Sequence, residues 1–243
     1  MEREFDVVVI GAGPAGEIAA GRLAERGGKR VAIVERELVG GECSFYACMP
    51  SKALLRPAEA LREIASVPGA AEAVTRRLDV GAALTRRDQI INDLSDAEQV
   101  PWLQSRGIEL VRGPARLDGE RRVRVGDDVL IARDAVVIAV GSGALYPPIP
   151  GLAEAGAWSN REITTTREVP RQLVVLGGGV VGVEMAQAWA SLGSQVTLIE
   201  AVERLLPREE PFVGELRAIR LSSSASGCAR ARAPSRSGVR ARA

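Results

Sequence analysis

The chain has 243 residues, enough for one large domain or two modest ones, and its 46% hydrophobic and 26% charged residues are ordinary for a soluble protein with a sizeable core. It lacks the apolar run of about 18 residues that a bilayer span requires, and the opening MEREFD is too charged for a secretory leader, so a cytoplasmic location is expected. Three Cys exclude a disulfide scaffold, and the absence of His removes the commonest general base and metal ligand, so no metal site is expected.

Residues 5–10 form a short apolar run that leads into GAGPAG, with Gly11, Gly13 and Gly16 in the G-x-G-x-x-G positions. This predicts a strand, a tight turn and a helix. The first glycine makes the turn, the second lets backbone approach a pyrophosphate, and the third lets helix pack on strand, with the helix N-terminus facing the phosphate charge. The helical pattern runs to about residue 27, and a second strand over 31–34 ends where Glu35 can accept from a ribose hydroxyl. A lone fingerprint is weak, but this context favours dinucleotide binding over a merely structural turn.

Residues 40–52 read GGECSFYACMPSK. Cys43 and Cys48 can be bridged if a helix begins between them, because one tightened turn brings their Cα atoms within the roughly 4.4 to 6.8 Å a disulfide needs. So small a ring is not a staple. Gly40 and Gly41 let the backbone pass close to something flat, Pro50 suits the first turn of a helix, and Lys52 adds a cation. Taken alone, the pair reads as two buried reduced thiols sooner than as a redox-active disulfide, and only its context favours the disulfide, while a zinc site lacks a second Cys pair and any His.

Apolar residues at near-helical spacing predict a long helix over 51–67, broken by Pro68 and Gly69. The Ala- and Arg-rich region up to residue 87 is ambiguous, and 88–106 reads as helix with Pro101 as an interruption or a new first turn. Residues 108–111, 121–125 and 129–132 read as a small antiparallel group, and 135–140 as a fully apolar strand ending in Gly141. Pro147 to Gly151 mark a crossover to a second domain. There a strand over 173–176 is followed by GGGVVG, with Gly177, Gly179 and Gly182, then a helix, a strand over 195–199, and Glu200. Two fingerprints 166 residues apart, each closing on an acidic residue, are hard to reach by chance. Glu200 favours NAD over NADP, since a carboxylate accepts from a 2′-hydroxyl and repels a 2′-phosphate, and the nearby Arg204 tempers that preference. On its residue type alone, Glu184 is an ordinary first-turn acid favoured by the helix dipole.

The order of these parts, with GGxCxxxxCxPSK between two dinucleotide units, resembles the class I pyridine nucleotide-disulfide oxidoreductases, flavoenzymes that include dihydrolipoamide dehydrogenase, glutathione reductase and mercuric reductase. Ala47 stands where the family usually has Gly, and Val140 where it usually has Thr. The resemblance implies an α/β fold of two Rossmann-like three-layer nucleotide-binding domains, an FAD domain (1–150) interrupted by an NAD(P) domain of which 151–215 is an incomplete first part. It implies FAD contacts at Gly11, Gly13, Gly16, Glu35, Gly41, Lys52 and Gly141, and NAD contacts at Gly177, Gly179, Gly182 and Glu200. Cys48 would be the flavin-side thiol and Cys43 the interchange thiol. Lys52 would sit near the flavin N5, paired with Glu184 at the nicotinamide. The implied reaction carries hydride from NAD(P)H to FAD, then to the Cys43–Cys48 disulfide and on to a disulfide or other acceptor, or the reverse from a dithiol. Full-length members are homodimers in which a His-Glu pair from the partner supplies the base.

From Leu216 the character changes. The last 28 residues hold seven Arg and no Asp or Glu, so the net charge of +1 divides into −6 for 1–215 and +7 for 216–243. This predicts a basic, disordered tail and a chain truncated or frameshifted after about residue 215, in preference to a nucleic-acid-binding arm. The alternatives to the disulfide reductase are a non-catalytic remnant that at most binds nucleotide, and a flavin NADH dehydrogenase without a disulfide relay.

Overall fold

The structure is a computed structural model that describes residues 1–74, 77–215 and 230–232. The chain divides into two compact units, Met1–Pro50 with Asp88–Ser159, and Ser51–Arg87 with Asn160–Ala243.

The first unit is built on a six-stranded sheet with the order β3-β2-β1-β6-β5-β4. β1 (Glu2–Ile10) and β2 (Val31–Glu35) are joined by α1 (Pro14–Glu25) and pair in parallel, Val7 opposite Val31 through Ile10 opposite Val34. β3 (Glu109–Arg112) extends the parallel part beside β2, so it does not belong to the antiparallel group in which the sequence pattern places it. That group consists of β4 (Ala115–Leu117), β5 (Arg122–Val125) and the first half of β6 (Asp128–Ile138). Two expected strands are thus one. β6 runs beside β1 for its whole length, with an irregularity between Phe5 and Val7 that absorbs the change of register.

Period-2 alternation decides the faces. Val7 and Val9 point into a cluster with Ala20 of α1 and Leu103 of α5 (Val100–Gln104), whereas Val8 and Ile10 pack with Val123 and Val125 of β5. α2 (Gly41–Phe45) and the start of α3 (Cys48–Ala65) also belong to this unit. Pro101 lies in the first turn of α5, where its missing N–H costs nothing.

The second unit takes the rest of α3, α4 (Val80–Ile90), α6 (Asn160–Thr165), β7 (Gln172–Leu176), α7 (Val180–Ser191) and β8 (Gln195–Ile199). Residues 51–87 pack here rather than with the first unit, because Leu54, Leu55, Ala83 and Leu84 share one buried cluster with Met185, Trp189 and Leu198. The carbonyls at the end of α6 are held from two sides. Trp189 donates its indole N–H to the Ile163 carbonyl at 3.0 Å, and the fully buried Arg87 guanidinium donates to the Thr164 carbonyl and, at 3.0 Å, to that of Thr166. A cation suits this end of a helix, where carbonyls lack partners.

β7 and β8 pair in parallel, and β9 (Arg230–Arg232) pairs in parallel with β8. The remaining residues of the expected disordered tail lie outside the described residues. One sheet face, with Val196 and Leu198, is buried, and the other shows Val174 (60% exposed), Leu176 and Ile199. Leu198→Ala is therefore expected to cost about 2 to 5 kcal/mol, and Val174→Thr to stay within about 0.5 kcal/mol, in urea unfolding followed by fluorescence.

Candidate functional site

The first glycine-rich turn forms where β1 meets α1. Gly11 donates its N–H to the Val34 carbonyl at 2.8 Å, and Gly13 caps α1 ahead of Pro14. A Cβ on Gly16 would overlap the Gly11 carbonyl, which is why helix and strand can approach so closely only with glycine there. Around Gly13 the backbone is bare: an added Cβ would meet nothing nearer than the Gly41 Cα at 4.0 Å. An exposed backbone at a helix N-terminus fits a pyrophosphate.

Glu35, the last residue of β2, accepts from the Ala12 N–H at 2.7 Å through one oxygen and from the Glu37 N–H at 2.8 Å through the other. Each carboxylate oxygen keeps a further lone pair, so a ribose hydroxyl can still be accommodated. The Ala12 carbonyl accepts from the Gly40 N–H at 2.7 Å. Ala12 is thus held at both of its peptide groups, a clamp that the fingerprint does not announce.

Gly40 leads straight into the cysteine-bearing segment. Gly40 and Gly41 have φ of +108° and +58°, left-handed conformations that L side chains rarely adopt, and a Cβ on Gly41 would lie 2.8 Å from the Gly13 Cα. The segment bearing the cysteines therefore lies backbone to backbone against the turn. Cys43 lies within α2 and is half-buried. α2 ends at Phe45, and α3 begins at Cys48, which is exposed. Contrary to expectation, no helix begins between the two cysteines: α2 begins before Cys43, and α3 begins at Cys48 itself, three residues earlier than the apolar periodicity alone indicates. The preceding loop is braced by Asp96, which accepts from the Val39 N–H at 2.8 Å and from Arg112 at 2.6 Å, while Arg112 also donates to the Glu37 carbonyl at 2.8 Å. Nothing in the spacing of Asp96 or Arg112 signals this role. Gly141 lies exposed beyond the end of β6, with φ of +68°.

In the second unit the same construction recurs. Gly177 donates to the Ile199 carbonyl at 2.8 Å, Gly179 caps α7, and a Cβ on Gly182 would overlap the Gly177 carbonyl. Glu200 accepts from the Gly178 N–H at 2.6 Å and from the Val202 N–H at 3.0 Å. Cβ atoms on Gly177 or Gly179 would meet nothing within 4 Å, so this turn too is open to a ligand.

Lys52 of α3 and Glu184 of α7 are brought together, the ammonium donating to both carboxylate oxygens at 2.8 and 2.7 Å. Their side chains are 61% and 26% exposed, so the pair contributes about 0 to 1 kcal/mol to stability and serves chiefly to orient its members.

Two carboxyls near the turns titrate abnormally. Burial, and then the charge of Glu35, push Glu17 of α1 above the usual glutamate value. Burial pushes Glu200 up as well, but N–H bonds from Val202, Gly178 and Ala201 together outweigh it and leave the carboxyl below the usual value.

Comparison with known proteins decides the family. The chain matches the family described as pyridine nucleotide-disulphide oxidoreductase over residues 5–222. The chain belongs to this family of oxidoreductases. It is 33% identical over 213 residues to a dihydrolipoyl dehydrogenase of Acholeplasma laidlawii, covering 85% of this chain and 62% of the relative. It is 34% identical over 220 residues to a mercuric reductase of Acidithiobacillus ferrooxidans, covering 88% and 40%. Among solved structures, the copper(II) complex of the HOCl-induced flavoprotein disulfide reductase RclA from Escherichia coli superposes with a TM-score of 0.79 at 28% identity, covering 95% of this chain and 49% of that one. The chain thus spans about half the length of the flavoprotein structure it matches. The α/β architecture with its largely parallel sheet is that of an oxidoreductase of this family.

The two titrations act on stability with opposite signs. A depressed Glu200 stabilises the fold above the ordinary glutamate value of about 4.3, and the contribution is lost as pH falls through the lower native value. Glu200→Gln is therefore expected to flatten the acid side of the stability profile. A raised Glu17 costs stability while ionised and is relieved as pH falls through its native value, so Glu17→Gln should raise the melting temperature at pH 7 and lose that advantage in acid.

Proposed function

We propose that the chain takes part in FAD-dependent NAD(P)H:disulfide oxidoreduction, with Cys43 and Cys48 as the redox-active pair. The observation that carries this reading is the seating of the cysteine segment on the first nucleotide turn, through the Gly40 N–H to the Ala12 carbonyl and the approach of Gly41 to Gly13. FAD bound at Gly11, Gly13, Gly16, Glu35 and Gly41 supplies two-electron transfer between a hydride donor and a disulfide.

The protein's own residues then do the rest. The Cys43–Cys48 disulfide accepts two electrons and two protons to become a dithiol, while NAD(P)H loses a hydride and the second proton comes from solvent. Cys43 attacks one sulfur of a substrate disulfide and expels the other half as a thiol. Cys48 attacks the resulting mixed disulfide, releases the second substrate thiol and restores the internal bond. A dithiol substrate runs the sequence backwards. Lys52 and Glu184 hold each other for the hydride-transfer step. Gly177, Gly179, Gly182 and Glu200 bind the nicotinamide dinucleotide, NAD in preference to NADP. Thiol or disulfide compounds, small or on a protein, are the proposed partners, with homodimerisation belonging to the full-length enzymes and a cytoplasmic location. Among the described residues no helix is long and apolar enough to cross a membrane.

The test is anaerobic titration of the purified, desalted chain with NADH, read in the visible spectrum. The expected result is a yellow protein that develops long-wavelength charge-transfer absorption, retained in Cys43→Ser and lost in Cys48→Ser. A colourless protein would identify a nucleotide-binding remnant, and bleaching that ignores both cysteines would identify a flavin dehydrogenase without a disulfide relay. Glu184→Gln should slow flavin reduction about tenfold or more while changing stability by less than about 1 kcal/mol.

A further inference from the structure

Arg204 follows Glu200 by four residues, and its cationic side chain could meet a 2′-phosphate. Its side chain is instead turned into its own loop. One guanidinium nitrogen donates to the Glu209 carbonyl at 2.9 Å and the other to the Pro207 carbonyl at 2.8 Å. The loop so closed contains Leu205 and Leu206, both buried. Leu206 has φ of +51°, the left-handed region that a leucine rarely adopts, and in that conformation its N–H donates to the Gly178 carbonyl at 2.8 Å. Leu205 lies over the same residue, since a Cβ on Gly178 would meet the Leu205 Cδ2 at 2.5 Å.

Gly178 is consequently gripped at both peptide groups, its N–H by Glu200 and its carbonyl by Leu206. This is the arrangement of Ala12, whose N–H goes to Glu35 and whose carbonyl accepts from Gly40. Glycine takes the left-handed conformation at Gly40 without help. At the corresponding place the second turn has a leucine, and Arg204 supplies the two hydrogen bonds that close the loop around it.

We infer that Arg204 is a positioning residue for the nicotinamide dinucleotide: by closing the 204–209 loop it keeps the Leu206 N–H on Gly178 and so sets the open backbone of the second glycine-rich turn. It does not select between NADH and NADPH. This rests on the proposed assignment of that turn to NAD(P)H.

The experiment is anaerobic equilibrium titration of the full chain and of Arg204→Ala with NADH and with NADPH, read by quenching of protein fluorescence. Any bound flavin is reduced beforehand by dithionite, so that no net hydride transfer follows. Flavin content and melting temperature are measured in parallel. The expected result is that both dissociation constants rise by the same factor, about three- to tenfold, with the NADPH-to-NADH ratio and the flavin content unchanged and with faster amide exchange at Leu206. Gly178→Ala, which presses on Leu205 from the other side, should reproduce the effect. Loss confined to NADPH would overturn the inference and make Arg204 a direct phosphate contact. Unchanged affinity for both nucleotides would overturn it as well. A wild-type chain that binds neither nucleotide would overturn the assignment of the turn itself, and the inference with it.

Discussion

Both glycine-rich turns hang on one interaction, a carboxylate at the end of a strand accepting the N–H of the residue after the first glycine of the turn. Glu35 does this for Ala12 and Glu200 for Gly178. A turn rich in glycine must leave its backbone bare for an anion, and the same bareness makes it conformationally loose. A charge-assisted hydrogen bond from outside the turn holds it without covering it. The contrast between Glu17 and Glu200 shows how much depends on those N–H groups. Both carboxyls pay for desolvation, and only Glu200 has enough donors to outweigh it.

What the clamp leads to differs between the units. After Glu35 the chain returns through Gly40 directly into the helix that carries Cys43, so the position of the cysteine-bearing segment is inherited from the first glycine-rich turn. After Glu200 it returns through Leu206, in a loop closed by Arg204. A recurring scaffold thus joins its first copy to a cysteine-bearing helix and its second to a loop closed by an arginine. Glu184 of α7 meets Lys52 of α3 within a unit whose helices are set by buried groups, notably Trp189 and Arg87 on the carbonyls of α6. The ion pair itself is too exposed to organise that unit.

The parts that were legible in sequence are those with a local cause. Gly16 and Gly182 are read from spacing because helix and strand collide there with any larger residue. The strands at 5–10 and 173–176 show because β-branched apolar runs bounded by glycine have few other uses. The family was legible because the cysteine segment lies between two such units. Less legible was everything resting on a distant partner. The joining of two expected strands into β6 follows from its parallel pairing with β1, which no local pattern encodes. The packing of residues 51–87 with α7 follows from a shared apolar cluster, not from any boundary in composition.

The sequence by itself determined the two fingerprints, the acidic residue closing each, the cysteine pair and their order, since each is a matter of residue type at fixed short separation. Tertiary structure alone decided what those residues hold. It put Gly41 against Gly13, turned the Arg204 side chain into its own loop, and gave Leu206 a backbone conformation that its side chain argues against. The reason is geometric. A hydrogen bond between peptide groups nearly thirty residues apart, Gly40 to Ala12 or Leu206 to Gly178, uses atoms that every residue possesses, and so leaves no mark in the side chains from which a sequence is read.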